Sequence, residues 1–253
     1  MEKKDRVLIS FDYALKRLLR NKANYDVLEG FLSELLGDNV KVKSLVESGS
    51  NQTDITDKYN RVDILAESAN EGVILIELQF AVEADYFYRM LFGTGKAICE
   101  RMKQSDVYRE VQKVYSVNIV YFDSGQGEDY VYHSWTRFTG LHTHEELKLS
   151  AGQRRVFGGQ VQGYIYPEYY ILKINFFNDV VKEPLDEWIY FFKHNEIKAE
   201  FSAKGLQKAR ELLVLESLTP EERKEYDRLQ DSRSRKLSEI AELESRINRK
   251  NNG

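Results

Sequence analysis

Two short apolar segments separated by a five-residue polar stretch constrain this chain more than any other feature: RVDILAE from Arg61, then SANEG, then VILIELQF from Val73. Both are rich in β-branched residues and too short for ordinary helices, so they read as strands over about 59–67 and 73–80. The tight polar connection makes an antiparallel hairpin of them. This hairpin carries acids where a buried sheet should hold none. Asp63 stands between Val62 and Ile64, and Glu77 falls inside a run of five aliphatic residues with Gln79 two positions on. Strand alternation puts Glu77 and Gln79 on one face, with Ile76 and Leu78 on the other. Pairing the strands can set Asp63 beside Glu77. Two carboxylates converging in apolar surroundings repel each other unless a proton or a cation intervenes. One solution is a hard divalent cation such as Mg²⁺, which takes oxygen ligands, lowers the pKa of a bound water and stabilises charge on a phosphate. The other is structural: Asp63 hydrogen-bonds its own loop, and Glu77 faces solvent from an edge strand.

The segments around the hairpin define a fold class. FDYALKRLLR repeats apolar residues at helical spacing behind Ser10, an N-cap type, and a second stripe from Val27 to Leu36 closes at Gly37. VKVKSLVE alternates and reads as a strand at about 40–47. Helical spacing returns from Val82 to Met102, although Gly93 and Gly95 each cost a helix interior about 1 kcal/mol. VYSVNIVYF, at about 114–122, reads as a strand buried on both faces. The order α-α-β-β-β-α-β predicts an α/β protein, a mixed sheet with helices packed on it. Beyond Asp123, YVYHSWTRF, QVQGYIY and EYYILKINFF read as further strands, and PLDEWIYFFKHN as a helix with proline at N1. From Ala203 the pattern is helical, interrupted at a capping box formed by Thr219, Pro220 and Glu222. We therefore expect a domain over 1–200 and a helical C-terminal extension over 201–253, which packs on the domain or joins two copies as a homodimer. A rival reading makes Arg233, Arg235 and Lys236 a DNA-contacting arm.

Composition narrows the function. Lys and Arg number 37 against 41 Asp and Glu, a net charge of −4, so this is no polycation that binds nucleic acid by bulk charge. The single cysteine excludes an internal disulfide and, read in an apolar helical setting, Cys99 is expected in the core. The first residues lack the apolar stretch of a secretory signal, and no apolar run approaches the roughly 18 residues that span a membrane, so the expected location is the cytoplasm. Gly93-Thr94-Gly95-Lys96 lacks the spacing and context of a phosphate-binding loop, His142 and His144 form no zinc pattern, and no G-x-S-x-G elbow occurs.

Asp63, the Glu77-x-Gln79 pair ending an aliphatic strand, a helix bearing Arg89 and the strand YSVNIVYF together resemble the PD-(D/E)XK nuclease superfamily, in particular its Rpn (recombination-promoting nuclease) and transposase-like branch. DYALKRLL, with Asp12 and Lys16, resembles that branch's first helix, Leu15 replacing its usual Phe. The resemblance covers about 10–195 and implies a restriction-endonuclease-like core and a Mg²⁺- or Mn²⁺-dependent DNA endonuclease active in recombination, mobile-element biology or defence. It implies that Asp63, Glu77 and the Leu78 carbonyl hold the metal, that Gln79 positions the attacking water, that Asp12 is accessory, and that Lys16 and Arg89 contact phosphate. The general motif ends in lysine. Glutamine there can orient a water but can neither take its proton nor supply charge. The alternative is a nucleic-acid-binding or regulatory protein that keeps the fold without catalysis.

Overall fold

The computed structural model describes residues 8–20, 25–47, 61–68, 72–80, 82–102, 108, 111–156 and 165–251. Helices α1 (Phe11–Arg20) and α2 (Asp26–Leu36) come first. Ser10 stands at the head of α1, its carbonyl accepting the Ala14 N–H at 3.0 Å. Gly37 ends α2 with a left-handed φ of 70°, a conformation that costs glycine nothing. Strands β1 (Val42–Glu47), β2 (Arg61–Ser68) and β3 (Val73–Gln79) then form an antiparallel meander. The chain crosses through α3 (Tyr86–Arg101) and returns as β4 (Val114–Val120), parallel to β3. After β5 (Val131–Ser134) and the short α4 (Ala151–Val156), β6 (Glu168–Lys173) inserts between β4 and β5. Helices α5 (Pro184–His194), α6 (Leu206–Leu212) and α7 (Pro220–Asn251) complete the chain.

The sheet order is β1-β2-β3-β4-β6-β5, antiparallel at both edges and parallel across β3, β4 and β6. It is the mixed α/β arrangement that the element order predicted. YVYHSWTRF forms a strand over only four residues, and EYYILKINFF turns into a 3₁₀ segment after Lys173. Most of the expected strand QVQGYIY lies outside the described residues.

Alternation divides the molecule into two layers. Ile74, Ile76 and Leu78 of β3, with Val117, Ile119 and Leu172 beside them, belong to the main core under α1, α2 and α5. Its centre is aromatic: Phe11 stacks on Phe192 at 4.2 Å and meets Phe31, Trp188 and Phe191 edge-on. Leu206, Ala209, Leu213, Tyr226 and Leu229 join this same core, so residues on both sides of position 200 share one interior. The opposite face carries a smaller cluster, Tyr86 and Met90 of α3 against Val120 and Phe122. Burial of that inner face holds α3 together despite its two glycines, since tertiary packing outweighs propensity.

One buried ion pair ties the start of β4 to β6. Lys113 donates to Glu168 Oε1 at 2.6 Å, and His133 lies 2.8 Å from Glu168 Oε2 while stacking on Tyr170. Burial pushes the Glu168 carboxyl up, but hydrogen bonds from Lys113 and His133 overcome this and hold it below the usual 4.5. Its stabilising contribution is therefore complete above pH 4.5 and lost as pH falls through the lowered value. Glu168→Gln is expected to be less stable than the natural chain at neutral pH and to lose less stability on acidification. Urea unfolding at a series of pH values checks both signs.

Candidate metal and phosphodiester site

The hairpin register meets the first requirement of the site. Asp63 pairs with Glu77, Val62 with Leu78 and Arg61 with Gln79. Residues directly opposite in an antiparallel pair share a face, with Cβ atoms about 5 Å apart. For Asp63 the description extends to the backbone register alone; its side chain lies outside the described part. Glu77 is on a central strand and only 4% exposed, so the alternative of a solvated edge-strand carboxylate does not hold. Gln79, on the same face, is buried as well.

Burial obliges the Glu77 carboxylate to find positive charge, and α3 delivers it. Arg89 donates from Nε at 2.8 Å and from a terminal nitrogen at 2.5 Å, both to Glu77 Oε1. Its other terminal nitrogen lies 2.6 Å from both oxygens of Glu83, in the segment leading into α3. One guanidinium thus bridges two carboxylates, and a third acid occupies the facing register position at Asp63.

Across the parallel pairing, Glu77 faces Asn118 of β4. Asn118 is fully buried, accepts from the Tyr86 hydroxyl at 3.2 Å, and donates to Ser116 and to the Tyr170 carbonyl. The strand is buried on both faces as expected, but the side that meets Glu77 is polar and not apolar. The available signal was the i, i+2 spacing of Ser116 and Asn118, which puts them on one side of the strand.

Asp12 and Lys16 both belong to α1. Asp12 is 1% exposed and forms an ion pair with Arg233 of α7. The Arg233 guanidinium lies 3.5 Å from the centre of the Phe80 ring, and Phe80 stacks on Tyr121 at 4.2 Å. The Tyr121 hydroxyl donates to the Phe192 carbonyl, and burial, then the nearby Asp12 carboxylate, pushes its pKa up. Asp12 is therefore committed to a cation from the C-terminal helix, and no described contact joins it to Glu77. Arg233 is likewise buried, which removes it from the suggested DNA-contacting arm; Arg235 is exposed, and the Lys236 side chain lies outside the described part. The Lys16 side chain also lies outside it. Cys99, expected in the core, is exposed, because it lies on the outer side of α3, away from the residues that the helix buries against the sheet.

The donor chemistry fits a hard divalent cation. Carboxylate at Glu77, aspartate at the facing position, the Leu78 carbonyl and the Gln79 amide offer oxygen, with no sulfur or imidazole among them. Among the described residues no group of three or more His, Cys, Asp or Glu gathers to hold an ion.

An antiparallel hairpin bearing Asp and Glu-x-Gln, followed by a helix and a parallel strand, is consistent with a restriction-endonuclease-like α/β fold. The family model of PD-(D/E)XK nuclease family transposases matches residues 9–242, nearly the whole chain and most of α7. This chain belongs to that family. No curated protein and no solved structure matches it. Among the described residues, no helix is long and apolar enough to cross a membrane.

Proposed function

We propose that this protein is a divalent-metal-dependent DNA endonuclease, working in the cytoplasm in recombination, mobile-element biology or defence against foreign DNA. The observation that carries the proposal is the register of Asp63 opposite a buried Glu77 on a central strand, with Gln79 two residues on. Asp63, Glu77 and the Leu78 carbonyl would hold Mg²⁺ or Mn²⁺. When bound, the ion supplies Lewis acidity toward phosphate oxygens and acidifies water. Gln79 orients the attacking water through its amide and leaves the proton to another acceptor. Arg89 carries five fixed donors, suited to a phosphate once its present carboxylate partners are otherwise neutralised. Lys16 is a further phosphate contact in this reading. At a net charge of −4, DNA affinity must come from these local groups rather than from the average.

The bridge from Arg89 to Glu77 also favours a second reading, a catalytically inactive nucleic-acid-binding or regulatory protein, because the guanidinium already neutralises that carboxylate. Plasmid nicking separates the two. The natural chain is expected to cut with Mg²⁺ or Mn²⁺ and to stop with EDTA, and Asp63→Ala is expected to be inactive. Salt-sensitive DNA binding without metal-dependent nicking would establish the second reading.

A further inference from the structure

We propose that the outward side of α3 is a twofold self-association surface, on which the same helix of a second copy of this chain docks. The helix has two unlike sides. Tyr86, Met90, Thr94 and Ala97 are buried toward the sheet. On the other side Phe87, Tyr88, Leu91 and Phe92 are 58, 78, 63 and 68% exposed. Their i, i+1, i+4, i+5 spacing makes one contiguous stripe, which exposed Gly95 and Cys99 continue at the next turns. Soluble monomers rarely leave apolar patches of more than a few hundred Å² uncovered.

Four properties select a second copy as the occupant. The six stripe positions carry no charge, whereas docking of a polyanion draws on cationic side chains. The stripe runs from residue 87 to residue 99, so its midpoint falls at the middle of the helix, Tyr86–Arg101. A twofold axis through that point lays the stripe on itself, as a self-complementary interface requires. Taking about 200 Å² for each large side chain, the four offer on the order of 500 Å² per copy, and the pair reaches the roughly 1,000 Å² at which specific interfaces begin. Finally, nothing lies within 4 Å of where a Cβ on Gly95 would stand. No neighbour among the described residues requires glycine there, although it costs the helix about 1 kcal/mol relative to alanine. A bare backbone at that point admits a second helix at close range.

The proposal goes beyond the nuclease reading and does not rest on it. Its consequence for that reading is direct, since Arg89 projects inward from the helix that forms the interface. A pair of chains would hold two such sites through one helix pair, which suits cutting of both strands of a duplex.

Sedimentation velocity on the full chain, between about 1 and 100 µM, provides the test. The natural protein is expected at twice its 29.6 kDa. The double variant Tyr88→Glu/Phe92→Glu is expected at the single-chain mass with its unfolding midpoint unchanged, and maleimide should modify its Cys99 several-fold faster. Gly95→Leu fills only open space in one copy and supplies a second route: dimer affinity should fall at least about tenfold while helix content holds. Ile240→Glu, in the C-terminal helix, should leave the dimer intact. A natural chain that stays single over this range overturns the proposal, as does a dimer that survives both α3 variants. Loss of the dimer in Ile240→Glu alone would assign association to α7. An unchanged mass with weakened duplex binding in the double variant would make the stripe a nucleic-acid surface, which also overturns it.

Discussion

Glu77→Ala is expected to reduce Mn²⁺-dependent nicking by more than about 100-fold and to remove Mn²⁺ binding at this site, with the fold intact. The fold survives because the guanidinium of Arg89 keeps its second partner: one terminal nitrogen already sits 2.6 Å from both Glu83 oxygens, so no cation is orphaned. The neighbouring substitution should act in the opposite direction on binding. Arg89→Ala removes a positive charge 2.5 Å from Glu77 Oε1, leaving buried carboxylate that a divalent ion can neutralise instead. Mn²⁺ affinity is then expected to rise about tenfold, a difference of about 1.4 kcal/mol. Cutting should nevertheless fall, because the guanidinium is no longer there to meet the phosphate. Calorimetric titration with Mn²⁺ beside the nicking assay reads the two effects separately. Weaker Mn²⁺ binding in Arg89→Ala would show that the arginine supports the ion instead of standing in its place.

The second large effect concerns stability. Arg233→Ala is expected to cost about 3–5 kcal/mol, since it leaves the Asp12 carboxylate buried without its counter-charge. For a chain of this size that corresponds to a fall of roughly 10 °C in the unfolding midpoint. Part of the loss comes from packing, because the same guanidinium covers the Phe80 ring at 3.5 Å. Asp12→Asn combined with Arg233→Met removes both charges and keeps an apolar side chain over Phe80, so most of the loss should be recovered. Thermal unfolding of the natural chain, Asp12→Asn, Arg233→Met and the double variant closes the cycle, with Arg233→Ala measured beside them. If Arg233→Ala melts like the natural chain, α7 is an appendage and not a part of the interior.

The contrast between Glu77 and Asp12 shows what could be read from the sequence. Period-two alternation puts Glu77 and Gln79 on one face of a strand, and the short polar turn sets Asp63 opposite Glu77. Those are local properties, carried by residues fewer than 20 positions apart. The accessory role of Asp12 comes from the family resemblance of its helix alone, whereas the ion-pair partner that the structure gives it stands more than 200 residues away on α7. Nothing in either segment announces the other. Cys99 and the aromatics of α3 make the same point: apolar residues at helical spacing show that a helix has an apolar side, but not which side meets the sheet. Here Met90 and Ala97 turn inward while Phe87, Leu91 and Phe92 face out.

By itself, the sequence determined the order of helices and strands through β4, the hairpin and the register that pairs two acids across it, because backbone periodicity and turn chemistry act over a few residues. Only the tertiary structure decided that Arg89 neutralises Glu77, that Asn118 lies beneath it and that Arg233 seals Asp12 in the core. Each of those is a demand of burial: a charge or amide removed from water must be met by whatever partner the packed chain brings within about 3 Å.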